Sequence, residues 1–132
     1  MLSDELRDFL KEHRFAVLAT INPDGTPQQS AVWYELRDDS IVMNTRAGRV
    51  KERNLLRDPR VSFCVVDGYR ALTLVGSATL DYEPATSQAT IRALAILNHG
   101  AEKGTKIADE TYAKQKRLNI QMTIEKAIPY GF

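Results

Sequence analysis

The tetrapeptide Asn22-Pro23-Asp24-Gly25 constrains this chain more than any other feature. Proline presets one backbone dihedral and glycine takes positive φ at little cost, so the chain reverses direction there. Before it runs the uninterrupted apolar segment Phe15–Ile21, which reads as a buried strand, and after it a second strand over residues 27–36. Arg37-Asp38-Asp39 reverses the chain again into a third strand over residues 40–45. Connections this short permit only antiparallel neighbours, so the three strands are predicted to form a meander.

The remaining elements follow from spacing and capping. Ser3 with Asp4 and Glu5 makes a helix start, and Leu2, Leu6, Phe9 and Leu10 recur at helical spacing to about His13. A helix over 49–57 ends at Asp58-Pro59, strands follow over 61–67 and 70–82, and Gly76 marks a bulge or bend in the longer one. Glu83-Pro84 opens a further helix carrying Ile91, Leu94, Ala95 and Leu97. Residues 98–108, with Gly100 and Gly104, read as a loop, and 110–116 as a short helix. In the last strand Leu118, Ile120, Met122 and Ile124 alternate with polar residues, the period of a half-buried strand. The sum is one mainly β domain over residues 1–132, an antiparallel barrel with peripheral helices.

Several function classes recede on composition. Lys and Arg number 18 against 17 Asp and Glu, a net charge of +1, whereas a dedicated nucleic-acid binder carries a basic excess. No apolar stretch reaches membrane-spanning length, and the acidic N-terminus lacks the features of a signal peptide, so a cytoplasmic location is expected. The single cysteine, Cys64, lies in an apolar run and reads as a small buried hydrophobe. His13 and His99 are far apart and read as solvated, and there is neither a His-x-x-x-His nor a Cys-x-x-Cys pair, so no metal site is expected. No Gly-x-Ser-x-Gly elbow occurs. No catalytic side chain is assigned; if the protein is an enzyme, a cofactor carries the difficult step.

Two segments hold the remaining chemistry. Residues 44–60 carry Arg46, Arg49, Lys51, Arg53, Arg57 and Arg60 against Glu52 and Asp58. A strand end, a glycine and a helix start together form an anion site, where arginine grips phosphate bidentately and lysine adds a point charge. Charge alone favours the other reading, a solvated helix whose acids pair with neighbouring bases. In the second strand Gln28, Ser30 and Val32 face one way, and Gln29, Ala31 and Trp33 the other. Such a strand either lines a planar heterocycle or packs as an ordinary barrel strand.

Taken together, Phe15-Ala16-Val17-Leu18-Ala19-Thr20, Pro23-Asp24-Gly25-Thr26-Pro27, Val32-Trp33-Tyr34, Arg49-Val50-Lys51-Glu52-Arg53-Asn54-Leu55 and Asp58-Pro59-Arg60-Val61 resemble the pyridoxamine 5′-phosphate oxidase-like superfamily. Within it the chain is most similar to the F420-dependent oxidoreductases. The likeness covers most of the chain, strongest over residues 15–66 and weak over 85–116. It implies an FMN-binding split barrel that forms a homodimer, with cofactor sites in grooves between the subunits. Carried over by position, Arg49 and Lys51 bind the cofactor phosphate, with Asn44, Thr45 and Asn54 nearby. Gln28, Ser30, Val32 and Trp33 line the ring, and Tyr69 matches an aromatic position contributed by the second subunit. The activity implied is hydride transfer between the deazaflavin F420 and a small molecule. An FMN-binding flavoprotein and a non-catalytic carrier of either cofactor stay open; an oligonucleotide-binding barrel is disfavoured because the tyrosines are scattered rather than clustered with the arginines.

Overall fold

The computed structural model describes residues 2–12 and 15–132. The expected helix end at His13, and the solvated position expected for its side chain, lie outside the described residues.

Helix α1 (Asp4–Glu12) starts as its sequence requires, with the Ser3 hydroxyl accepting from the Leu6 amide at 3.2 Å. Leu6, Phe9 and Leu10 point into the core. Strand β1 (Phe15–Ile21) pairs with β2 (Pro27–Trp33) through a hairpin in which Gly25 has φ 88° and Asp24 accepts from Thr26. The second predicted strand is divided: β2 ends at Trp33, and beyond Tyr34 the chain continues as β3 (Glu35–Arg37). Strand β4 (Ser40–Arg46) follows a two-residue turn in which Asp38 holds φ 52°.

This division explains the architecture. Helix α2 (Val50–Arg57), β5 (Arg60–Asp67), β6 (Arg70–Asp81) and β7 (Arg117–Tyr130) complete a sheet of order β2-β1-β5-β6-β7-β4-β3. Its two edge strands, β2 and β3, are consecutive in the chain and separated only by Tyr34, so the sheet must curl until its edges approach there. The meander holds as pairing, but strand two reaches β1 with one half and β4 with the other. Tyr34 is 1% exposed, and its hydroxyl donates to the Leu10 carbonyl at 2.8 Å, which ties α1 to the seam. The expected split barrel, mainly antiparallel with peripheral helices, is what forms.

Leu18, Phe63, Leu72, Leu74, Ile120 and Met122 fill the interior. Each full burial of such a side chain contributes about 1.5–3 kcal/mol relative to exposure. β1 is continuously apolar for a different reason from the one expected. Ala16 and Leu18 face the core, whereas Phe15 and Val17 face outward and are 63% and 41% exposed. Cys64 likewise is half-buried on the outer face, aligned with Val17 and Thr73, rather than in the core. Gly76 does mark a bulge, since the β6–β7 register shifts between Val75 and Gly76. A Cβ there would lie 1.9 Å from the Thr123 carbonyl oxygen.

The helical side of the barrel departs from expectation. Helix α3 (Pro84–His99) begins at Glu83-Pro84 as read, but residues 98–108 are not a loop: α4 (Ala101–Glu110) fills them. Gly100, with φ 89°, reverses the chain between the two helices. Gly104 lies mid-helix and lets α4 approach α3 closely, because a Cβ there would sit 2.5 Å from Ile96 Cα. The helix expected over 110–116 is a single 3-10 turn, Tyr112–Lys114. β7 extends well beyond the alternating core pattern; Pro129 is tolerated because β4 pairs only as far as Thr123. Among the described residues no helix is long and apolar enough to cross a membrane.

Candidate functional site

The strand ends and the start of α2 converge on a cleft of about 240 Å³. β1 and β2 supply Phe15, Ala31, Val32 and Trp33, while α3 supplies Ile91 and Leu94, and the 3-10 turn supplies Tyr112. Asn44, Thr45 and Arg46 enter from the end of β4, Arg49 and Lys51 from the start of α2, and Arg117 from the start of β7. The register explains the convergence, since Asn44 lies opposite Asn119 and Arg46 opposite Arg117. Gly48, with φ 92°, then turns the chain into α2 and brings Arg49 and Lys51 to the same place.

Among the described residues these cations have no counter-ion. The described ion pairs involve Arg7, Arg37, Arg60, Arg70 and Arg92, and none involves Arg46, Arg49, Lys51 or Arg117. Lys51 donates to the Ser30 hydroxyl at 3.2 Å. Burial, then the charges of Arg49 and Arg117, hold its ammonium below the ordinary pKa of 10.5. Arg117 is also pushed down, chiefly by burial; the neighbouring Arg49 and Arg46 add to this, and Tyr112 opposes it. The acids of the basic segment are turned elsewhere. Glu52 accepts from the Gly48 amide at 2.7 Å and the Tyr82 hydroxyl at 2.7 Å, contacts that lower its own pKa, while burial and then Glu52 push that of Tyr82 up to about 12. Asp58 pairs with Arg60.

The basic run therefore divides. Arg57 bonds the Ile21 carbonyl and the Asn54 amide oxygen, and Arg53 bonds the Gly48 carbonyl at 2.7 Å, so both serve the local fold. Arg49 and Lys51 face the cleft. Partly desolvated cations without an acid, next to an apolar wall, suit an anion carried on a flat apolar body.

Of the residues read from the sequence, Val32, Trp33, Asn44, Thr45, Arg49 and Lys51 line the cleft, and Ser30 reaches it through Lys51. Asn54 does not line it. Its buried amide donates to the Thr20 hydroxyl at 3.0 Å and Asn22 Oδ1 at 3.1 Å, tying α2 to β1. Gln28 also lies outside, its amide nitrogen donating to the Gln29 carbonyl at 3.2 Å. Tyr69 sits at the tip of the β5–β6 hairpin, 93% exposed and away from this chain's own cleft. His99, read as solvated, is half-buried and packs edge-on against Trp33 with ring centroids 5.2 Å apart.

Sequence reasoning missed Arg117, Tyr112, Phe15, Ile91 and Leu94. The one available signal for Arg117 was the basic stretch Lys114-Gln115-Lys116-Arg117 at the head of the alternating strand. Among the described residues, no group of three or more His, Cys, Asp and Glu side chains is placed to hold a metal ion.

Comparison with known proteins places this fold. A conserved hypothetical protein from Mycobacterium tuberculosis superimposes with a TM-score of 0.83 at 30% identity, over 98% of this chain and 85% of that one. An F420 reductase gives a TM-score of 0.75 at 22% identity, covering 96% of this chain and 98% of the other. The heme storage protein HutZ from Vibrio cholerae gives 0.76 at 19%, covering 99% and 96%. At that distance the last two speak to the fold. The pyridoxamine 5′-phosphate oxidase family, which binds flavins or related cofactors, matches residues 2–127. Matched over nearly its whole length, the chain belongs to the pyridoxamine 5′-phosphate oxidase family.

Proposed function

We propose that this protein is an F420-dependent oxidoreductase, moving a hydride between the deazaflavin and a small molecule. The observation that carries this reading is the set of acid-free cations Arg49, Lys51 and Arg117 beside the apolar strip Ala31–Trp33. When bound, the deazaflavin supplies the hydride chemistry. The chain's own residues bind, orient and exclude water: Arg49 and Lys51 take the phosphate, Ser30 steadies the Lys51 ammonium, and Val32 and Trp33 wall the ring. Asn44 and Thr45 complete the polar end of the cleft. The charge there, with Arg46 added, exceeds what one phosphate needs and favours a polyanionic glutamylated tail over FMN.

The same reading includes a homodimer. An apolar outer sheet face carries Phe15, Val17, Val66, Ile128 and Tyr130, all more than one-third exposed. A second copy would cover it and bring its Tyr69 hairpin toward the cleft.

Titrating the purified protein with F420 and with FMN tests the cofactor, with tighter F420 binding expected. A yellow protein carrying flavin bands at near-equimolar occupancy would overturn F420 in favour of FMN. Lys51→Ala removes a charge-assisted phosphate contact and should weaken cofactor binding by about 1.5–3 kcal/mol with the fold intact. Binding as tight as wild type would make the basic segment surface decoration. Stopped-flow oxidation of the bound reduced cofactor by a panel of acceptors separates enzyme from carrier: acceleration by none of them means a carrier.

A further inference from the structure

We infer that Arg117 determines which ligands the cleft accepts, adding to Arg49 and Lys51 a third, pre-aimed cation that selects a multiply charged anionic group. This rests on the cofactor reading above. Arg117 lines the cleft and is held there on neutral contacts alone. Its Nε donates to Asn44 Oδ1 at 2.7 Å, its Nη1 to Gln115 Oε1, and its guanidinium lies 4.7 Å from the centre of the Tyr112 ring.

Asn44 is itself fixed, donating to Asn119 Oδ1 at 2.8 Å and to the Ser87 carbonyl at 2.9 Å. Behind it, Asn119 donates to the Thr90 hydroxyl at 2.9 Å. A chain of amides and hydroxyls from β4, β7 and α3 thus sets the direction of one guanidinium. None of them neutralises it. Nη2 has no hydrogen-bond partner among the described residues, and Arg46 and Arg49 repel the group.

Arg53 and Arg57 also rest on neutral contacts, but these turn them to the local fold and away from the cleft, and five further arginines provide a contrast. Arg7, Arg37, Arg60, Arg70 and Arg92 each face a carboxylate. A partly desolvated cation among like charges destabilises the empty fold, and an anion in the cleft reverses the sign of that interaction. Two phosphate-binding cations answer one phosphate. A third, rigid and planar, fits a dianionic phosphate bidentately or reaches a neighbouring carboxylate. Asn44 acts as a positioning residue, since its contact is with Arg117.

The test compares each cofactor with its phosphate-free counterpart: FMN with riboflavin, and F420 with the ribityl deazaflavin that lacks phosphate and glutamates. The ratio of affinities isolates the anionic group from the ring. Arg117→Gln should cut that ratio about 10–100-fold. Binding of the ring-only ligand should stay unchanged, and the melting temperature should hold or rise. Arg117→Lys, which keeps charge but loses the Nε bond to Asn44, should recover part of the ratio, and Asn44→Ala should lower it with Arg117 still present. If wild type binds while Arg117→Gln keeps the full ratio, this inference alone is overturned. Equal loss of the ring-only ligand would make Arg117 part of the wall and overturn it too. Wild type that binds neither cofactor overturns the cofactor reading as well.

Discussion

Lys51 is a cation held below its ordinary pKa by burial first, then by the charges of Arg49 and Arg117. Because its folded pKa lies below 10.5, the unfolded chain holds the extra proton between those two values. Stability must therefore rise with pH across that window, and below it the full penalty stands. Denaturant melts taken from neutral pH toward 10.5 should show wild type gaining on Lys51→Met, which has no such group. Parallel curves would mean that the ammonium is not perturbed. The same residue shows what the sequence could and could not tell. That Arg49 and Lys51 lie at one cleft accords with the strand end, glycine and helix start read there, although it was the family resemblance that singled these two out of the basic run. That Asn54, on the next turn, ties α2 to Thr20 and Asn22 instead was not legible, because its partners lie more than thirty positions away. Arg117 escaped for a similar reason: a base at the head of a strand reads as solvated until β4 is known to lie beside it.

Elements were legible where period and punctuation agreed. The hairpin at Asn22–Gly25, the bulge at Gly76 and the proline-led start of α3 all follow from local chemistry. Glycine misled at α4, where Gly100 is a reversal but Gly104 is a packing residue in a helix interior. Two opposed effects decide what Gly104→Ala does. Helix propensity favours alanine by about 1 kcal/mol. Against it stand backbone atoms, with Ile96 N and Cα each 2.5 Å from the new Cβ and Ala95 C at 2.7 Å. Backbone cannot rotate aside as a side chain does, and overpacking typically costs about 1–3 kcal/mol, so the clash should win. The urea midpoint is expected to fall; a raised midpoint would mean that α3 and α4 slide apart freely. Strand two was misjudged as one element because nothing local distinguishes Tyr34 from its neighbours, and only barrel closure divides it.

At the scale of the molecule, rows of aligned residues make the outer face continuous: Val17, Cys64, Thr73 and Ile128 lie side by side across β1, β5, β6 and β7. The proposed homodimer would bury that face against a second copy. Sedimentation should find wild type dimeric and Val17→Asp monomeric, with cofactor affinity reduced in the variant; a wild type that stays monomeric at micromolar concentration removes the dimer from the scheme. The β4–β7 pairing has a consequence of its own. Asn44 and Arg46 on β4 are made some seventy residues before Arg117 and Asn119 on β7, and the ladder joining them is what gathers the cations. On a ribosome the nascent chain can form the β1–β2 hairpin early. The cradle proposed for the anion waits for β7, so a capacity to capture the ligand is acquired only once that strand has been made.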